Sequence, residues 1–234
     1  MEQMDNIKTI RDLKIPQFTL MASPEQDEII RQREEKIEQK RAVELLAKKK
    51  QEYENSGVPK RYWNESFETW KARNADDEKR LQAIIEYSQK ENNDSVLLLL
   101  GPKGVGKTHL GSSIIRETGG AFISIEDMIF KFECSTDYHA EINREDLMNF
   151  YSTTSMLVID EMGRSMQQSK EDSLLNYILR RRYENMLPTV LISNLKKEDL
   201  LKKLGDAVVD RLKETCQCVE FVGESYRPEK RKIA

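Results

Sequence analysis

The sequence predicts an α/β fold: a mostly parallel sheet of five strands covered by helices on both faces, preceded by a charged helical extension. Three observations predict it. After Asp94, short apolar runs alternate with helical segments, the pattern of successive βα units. The first run, Val96 to Leu100 (VLLLL), is apolar throughout, as a parallel strand buried on both faces is. Before that point, seventeen of the thirty residues from Glu25 to Glu54 are charged with both signs mixed, which marks a solvated helix.

In chain order, the charged helix comes first. Asp27–Arg31 and Glu44–Lys48 stand at i, i+4 in the favourable orientation. Its apolar residues, Ile29, Ile30, Ile37, Val43 and Leu46, make a thin stripe. Gly57 and Pro59 end it, so residues 1–57 and 58–234 are read as an extension and a domain. RYWNESFETW follows, with Tyr62, Trp63, Phe67 and Trp70 either packing a joint against the next domain or lining a ligand pocket. The expected strands are Val96–Leu100, Ala121–Ile125, Met156–Asp160, Thr189–Ser193 and Cys218–Val222. The expected helices lie near Thr108–Glu117, Glu126–Phe132, Lys170–Asn185, Lys196–Lys203 and Asp206–Thr215.

Composition narrows the function. A formal net charge of -3 excludes a generally basic nucleic-acid coat, so any DNA contact is a local stripe. Three cysteines, Cys134 alone and Cys216 and Cys218 around Gln217, read as reduced thiols rather than a disulfide framework or a zinc site. MEQMDNIKTI lacks a basic segment followed by an apolar core, so no signal peptide is expected. The longest apolar run is five residues, so no membrane span is expected, and the expected location is cytoplasmic.

The chemistry begins at GPKGVGKTHL. Gly101, Gly106, Lys107 and Thr108 fit G-x-x-x-x-G-K-[ST] between an expected strand and an expected helix. In such a loop, here Gly101, Pro102, Lys103, Gly104, Val105, Gly106, Lys107, Thr108 and His109, backbone N–H groups curl around phosphate oxygens. Lys107 then reaches the β- and γ-phosphates, the Thr108 hydroxyl ligates Mg2+, and the helix N-terminus adds its dipole. The pocket alternative for the aromatic cluster is thus an adenine site. SMLVIDEMG ends an apolar strand on Asp160, suited to the Mg2+ shell. The adjacent Glu161 suits deprotonation of an attacking water. TVLISN ends on Asn194, which either holds the γ-phosphate or the water, or caps the next helix.

GPKGVGKTHL, LVIDEMG, ISN, GDAVVDRL and SYR occur in the order seen in AAA+ ATPases of the DnaC/DnaI bacterial helicase-loader family. The chain resembles that family from about Val58 to Arg227, and transposition ATPases of the IstB type are close relatives. The resemblance implies an AAA+ P-loop NTPase using ATP/ADP and Mg2+. Lys107 and Thr108 look like its Walker A pair, and Asp160 and Glu161 like Walker B. Asn194 looks like sensor 1, Arg211 like an arginine finger serving a neighbouring subunit, and Arg227 like sensor 2. Two arginines suit the charge that grows on the γ-phosphoryl oxygens during transfer. One departure is Ala207, where some members carry a basic residue. Twelve residues follow Val222, too few for the helical lid of most AAA+ proteins.

The resemblance also implies partners. These are a replicative DNA helicase hexamer bound through the N-terminal region, single-stranded DNA, and other copies of the chain through the AAA+ domain. The implied ATPase is slow and stimulated by DNA or oligomerisation. Its role is to load the helicase during replication initiation or restart. Phe130, Phe132 and Tyr138, interleaved with Lys131 and His139, have the composition of a single-strand platform, although the phenylalanines also suit a core. The basic residues Arg180 to Arg182, Lys196 and Lys197 serve equally as solvated helix faces. The competing readings are an IstB-like transposition ATPase acting with a transposase on duplex DNA, a small-molecule kinase, and a nucleotide-gated adaptor with negligible turnover.

Overall fold

All five expected strands form and pair in parallel, in the order β2-β3-β4-β1-β5. The structure, a computed structural model, describes residues 24–135, 142–163 and 167–226. The strands are β1 (Val96–Leu100), β2 (Ala121–Ser124), β3 (Leu157–Met162), β4 (Thr189–Ser193) and β5 (Cys216–Glu220). The helices are α1 (Pro24–Asn55), α2 (Ala75–Gln89), α3 (Lys107–Thr118), α4 (Ile125–Cys134), α5 (Arg144–Thr153), α6 (Gln168–Glu184), α7 (Lys197–Leu204) and α8 (Asp206–Thr215).

The chain divides into two units, Met1–Ala47 and Lys48–Ala234. The described part of the first is helical. Ile37, Val43, Leu45 and Leu46 are all more than half exposed, so that helix buries almost nothing of its own. Glu44 pairs with Lys40 at 3.9 Å rather than with Lys48, which pairs with Glu52 at 3.7 Å. Exposed pairs of this kind add little stability. The side chains of Asp27, Ile29 and Ile30 lie outside the described residues. The second unit takes up the last turns of α1, since Tyr53 is buried in its core.

Within that unit, the alternation of β1 explains the two covered faces. Leu97 and Leu99 pack with Ile84 of α2 and with Leu110 and Ile114 of α3. Leu98 and Leu100 face the other way, toward residues of α4 to α8 such as Ile129, Tyr151, Ile178, Leu200 and Leu212. Two of the helices were not expected. Both α2 and α5 carry few apolar residues, but each starts at an asparagine cap: Asn74 accepts from Asp77 N and Asn143 from Asp146 N. Strand boundaries also move: β3 runs from Leu157 to Met162, two residues past the expected Asp160. Ser124 caps α4 by accepting from Asp127 N, so Ile125 is helical. β5 starts at Cys216, directly after α8, because it pairs Val96 to Leu100 with Cys216 to Glu220.

Arg182, expected as a solvated or DNA-facing cation, is instead fully buried. Its guanidinium donates to Thr189 Oγ1 at 2.8 Å, Tyr151 O at 2.9 Å, Thr154 O at 2.8 Å and Pro188 O at 2.7 Å. Burial pulls its pKa down to about 10, and the four acceptors offset the desolvation. It thereby ties the amino end of β4 to the end of α5. No described helix is long and apolar enough to cross a membrane.

Candidate active site

The strand order builds the site. β4 lies between β1 and β3, so the carboxyl ends of these three strands stand side by side, where ligands bind in parallel α/β sheets. The loop after β1 turns through left-handed glycines, with φ of 136° at Gly101, 85° at Gly104 and 96° at Gly106. A Cβ at Gly104 would collide with Ser225, and one at Gly106 with the Trp70 indole. Both positions therefore require glycine twice over, for conformation and for space. Lys107 is buried, and its Nζ donates to Gly101 O at 2.7 Å, Pro102 O at 2.8 Å and Asn194 Oδ1 at 2.9 Å. Asn194 thus stands beside the phosphate loop, and the N-cap of α7 is Lys196 rather than Asn194. Among the remaining loop residues, Lys103 is exposed on the cleft wall and Val105 is buried in the core.

Thr108 Oγ1 donates to Asp160 Oδ2 at 2.8 Å. Burial raises the Asp160 pKa, and hydrogen bonds from Thr108 and the Glu161 backbone N–H pull it back. A buried carboxylate beside a hydroxyl is the oxygen-donor set that Mg2+ takes, and the cation would relieve the cost of burying that charge.

Consecutive residues of a regular strand point to opposite faces, yet Asp160 and Glu161 both line the cleft. A bulge makes this possible. Ile159 pairs with Leu191 and Met162 with Ser193, so β3 holds one residue more than β4 over that interval. Glu161 takes φ of 60°, a left-handed conformation that costs a non-glycine residue about 1–3 kcal/mol. Its N–H donates to Asp160 Oδ1 at 2.6 Å, and Ser193 Oγ donates to Met162 O at 2.8 Å just beyond.

The cleft, about 370 Å3 in volume, is walled by the aromatic stretch and by Tyr226, the last described residue. Both expectations for the aromatics hold in part: Phe67 and Trp70 are buried in the core, and Tyr62 and Trp70 line the cleft. His109 Nε2 lies 2.7 Å from Ser66 O and 3.1 Å from Thr69 Oγ1, with Nδ1 3.1 Å from Glu65 Oε2. Its side chain therefore fastens the aromatic stretch to α3, and His109 also lines the cleft. Tyr226 N donates to Gly104 O at 2.9 Å, and the Arg73 guanidinium stacks 3.5 Å from the Tyr226 ring. This contact, which sequence reasoning missed, holds the last described residues against the phosphate loop.

The model of the IstB-like ATP binding proteins matches residues 20–234. The chain belongs to that family. A replicative helicase loader DnaC of Buchnera aphidicola subsp. Schizaphis graminum is 28% identical over 179 residues, 74% of this chain and 73% of that one. An ATP-binding protein of insertion sequence IS232 from Bacillus thuringiensis subsp. berliner is 32% identical over 149 residues, 59% of this chain and 56% of that one. The crystal structure of the DnaC helicase loader matches with a TM-score of 0.61 at 24% identity, covering 70% of this chain and 100% of that chain, which shows the shared fold.

In this IstB-like ATP-binding protein, Arg211, Phe130, Lys131 and Phe132 are not among the residues that line the cleft. Arg211, on α8, lines a shallow groove with Val96 and Thr189, the first residues of β1 and β4. It stands at the amino ends of the strands, the length of a five-residue strand from the loop, roughly 15 Å. Phe130 and Lys131 are exposed on α4, whereas Phe132 is 2% exposed and packs against Tyr151, so it offers no stacking face to a base. Arg227, Tyr138 and His139, and the side chain of Ala207, lie outside the described residues.

Proposed function

We propose that this IstB-like protein hydrolyses ATP with Mg2+ and uses that cycle to bind a replicative DNA helicase and deliver it to single-stranded DNA. The observation that carries the hydrolytic reading is the bulge that brings Glu161 into the cleft beside Asp160, with Asn194 on Lys107. Lys107 and Asn194 orient the γ-phosphate. Thr108 and Asp160 would hold Mg2+, which would supply charge neutralisation for the phosphates. Glu161 takes the proton of the attacking water. A small-molecule kinase, which must exclude water, has less use for this glutamate.

Arg211 faces away from its own cleft, so its natural target is the nucleotide of an adjacent copy, with Arg227 serving as sensor 2. Mixing tests this. Arg211→Ala and Lys107→Ala proteins each lack a different half of a composite site, and together they are expected to recover part of the lost turnover. No recovery at any ratio points to a site completed within one chain.

The loading role is supported by the similarity to the Buchnera loader, and by a first unit whose described residues bury no core that would explain its helix. Residues 1–57 hold the helicase, residues 58–234 form the ATPase domain, and Phe130 and Lys131 contribute to the contact with single-stranded DNA. This role places the protein in the cytoplasm. The IS232 relative favours a second reading, a transposition ATPase. Size-exclusion chromatography with the replicative helicase hexamer separates them. The full chain with ATP is expected to comigrate with the hexamer, and a chain starting at Lys48 to bind ATP without comigrating. Capture of a transposase in place of the helicase supports the second reading, and full capture by the shortened chain moves the helicase contact onto the ATPase core.

A further inference from the structure

A buried ion pair lies just behind the hydrolytic residues. Glu171, in the first turn of α6, is fully buried. Its Oε1 accepts from Gly163 N at 2.9 Å, two residues after Glu161. Its Oε2 meets Lys203 Nζ at 3.0 Å as an ion pair rather than a well-aligned hydrogen bond. The Lys203 side chain is 6% exposed and also stands 3.7 Å from Asp172 Oδ1. Lys203 belongs to α7, the helix that follows Asn194.

A charged pair is an expensive way to join two helices, because both ions lose their water. Apolar side chains would do the same packing at lower cost. What they cannot supply is an acceptor for the Gly163 N–H. That N–H leaves the bulge at a point where the backbone turns left-handed twice, with φ of 60° at Glu161, a strained value for a residue with a side chain, and 85° at Gly163, which glycine adopts freely. Such a segment persists when its surroundings fix it on both sides. Upstream, Asp160 Oδ1 accepts from Glu161 N, and in the middle Ser193 Oγ donates to Met162 O. Glu171 is the downstream anchor. Lys203 keeps its carboxylate turned so that one oxygen stays on Gly163.

We propose that Glu171 and Lys203 are positioning residues for hydrolysis: through Gly163 they hold the bulge that aims Glu161 at the attacking water. The inference rests on the hydrolytic reading above. Because Lys203 sits on the helix after Asn194, the pair also fixes the exits of β3 and β4 relative to each other. The geometry of the base and that of the γ-phosphate contact are then set together.

Two double variants, each without a buried charge, isolate the anchor. Glu171→Gln/Lys203→Met keeps an amide oxygen for Gly163 N. Glu171→Leu/Lys203→Met keeps the packing and removes the acceptor. The leucine variant is expected to lose roughly tenfold to a hundredfold in kcat, the scale of an error of order 1 Å in a reacting group. Its KM for ATP is expected to stay within about twofold of wild type, since the phosphate loop is untouched. The glutamine variant is expected to retain near wild-type kcat. The single Glu171→Gln variant leaves the buried Lys203 with Asp172, 3.7 Å away, as its remaining carboxylate partner, and the new amide oxygen is drawn toward the ammonium. It is expected to fall below the glutamine double variant. Wild-type kcat in the leucine variant overturns the positioning role. So does a loss of kcat and ATP affinity in parallel with folded protein, which marks a structural pair. A wild-type chain that releases no phosphate with helicase and single-stranded DNA present rejects the hydrolytic reading itself, a result distinct from either.

Discussion

Replacing Lys107 with alanine is expected to cost this protein most of its affinity for ATP. The ammonium is buried and held by three oxygens, two from its own loop and one from Asn194. It is thus placed in advance, with little side-chain freedom left to lose when phosphate arrives. Truncating one member of a buried charge pair costs on the order of 2–5 kcal/mol, which is about thirtyfold to several thousandfold in dissociation constant. The loss also detaches Asn194 from the loop. Titration calorimetry with ATP and Mg2+ measures it, with Lys103→Ala as the comparison. Lys103 stands exposed on the same cleft wall, and solvent screens its charge, so its removal is expected to cost about 1 kcal/mol or less. Equal losses for the two lysines, or none for Lys107, would contradict the assignment.

The second large effect is expected at Glu161. Glu161→Gln preserves the shape of the side chain and leaves the backbone bonds of the bulge in place. It removes the carboxylate that we propose accepts the water proton. Turnover is expected to fall by roughly a hundredfold to ten-thousandfold, the usual contribution of general-base catalysis. ATP affinity is expected to stay near wild type, because the loop donors and the Thr108–Asp160 pair are unchanged. Single-turnover phosphate release, measured beside nucleotide retention, reads the two quantities separately. A wild-type rate in this variant would assign the base elsewhere.

How legible the site was depends on how far apart its parts lie in the chain. Lys107 and Thr108 are fixed by a strand, a loop and a helix that are contiguous, so local backbone preference suffices to place them. Asp160 could be read because an apolar run announces a buried strand, and a charge at its end must meet solvent or a ligand. The helices α2 and α5 escaped notice because their apolar faces are thin: Ile84 and Tyr87 are the buried apolar residues of the first, Leu147 and Tyr151 those of the second. Their asparagine caps, each followed by acidic residues, were the available signal. Phe132 looked like Phe130 in sequence, two residues away on the same helix. A rotation of about 200° between them puts one in the core and leaves the other 64% exposed.

The sequence by itself determined the fold class, the five strands, the phosphate loop and the identity of the paired acids. Each depends on residues adjacent in the chain, where steric preference and apolar periodicity act directly. Tertiary structure alone decided which of these parts meet. Inserting β4 between β1 and β3 brings Asn194 to Lys107, 87 positions earlier in the chain. The one-residue mismatch between β3 and β4 turns Glu161 to the same side as Asp160. Packing α8 beside the first residues of β1 and β4 places Arg211 apart from the cleft, and packing α6 beside α7 brings Glu171 to Lys203. Strand order and register follow from burying two faces of one sheet at once. That is a property of the whole chain, and no short window of sequence contains it.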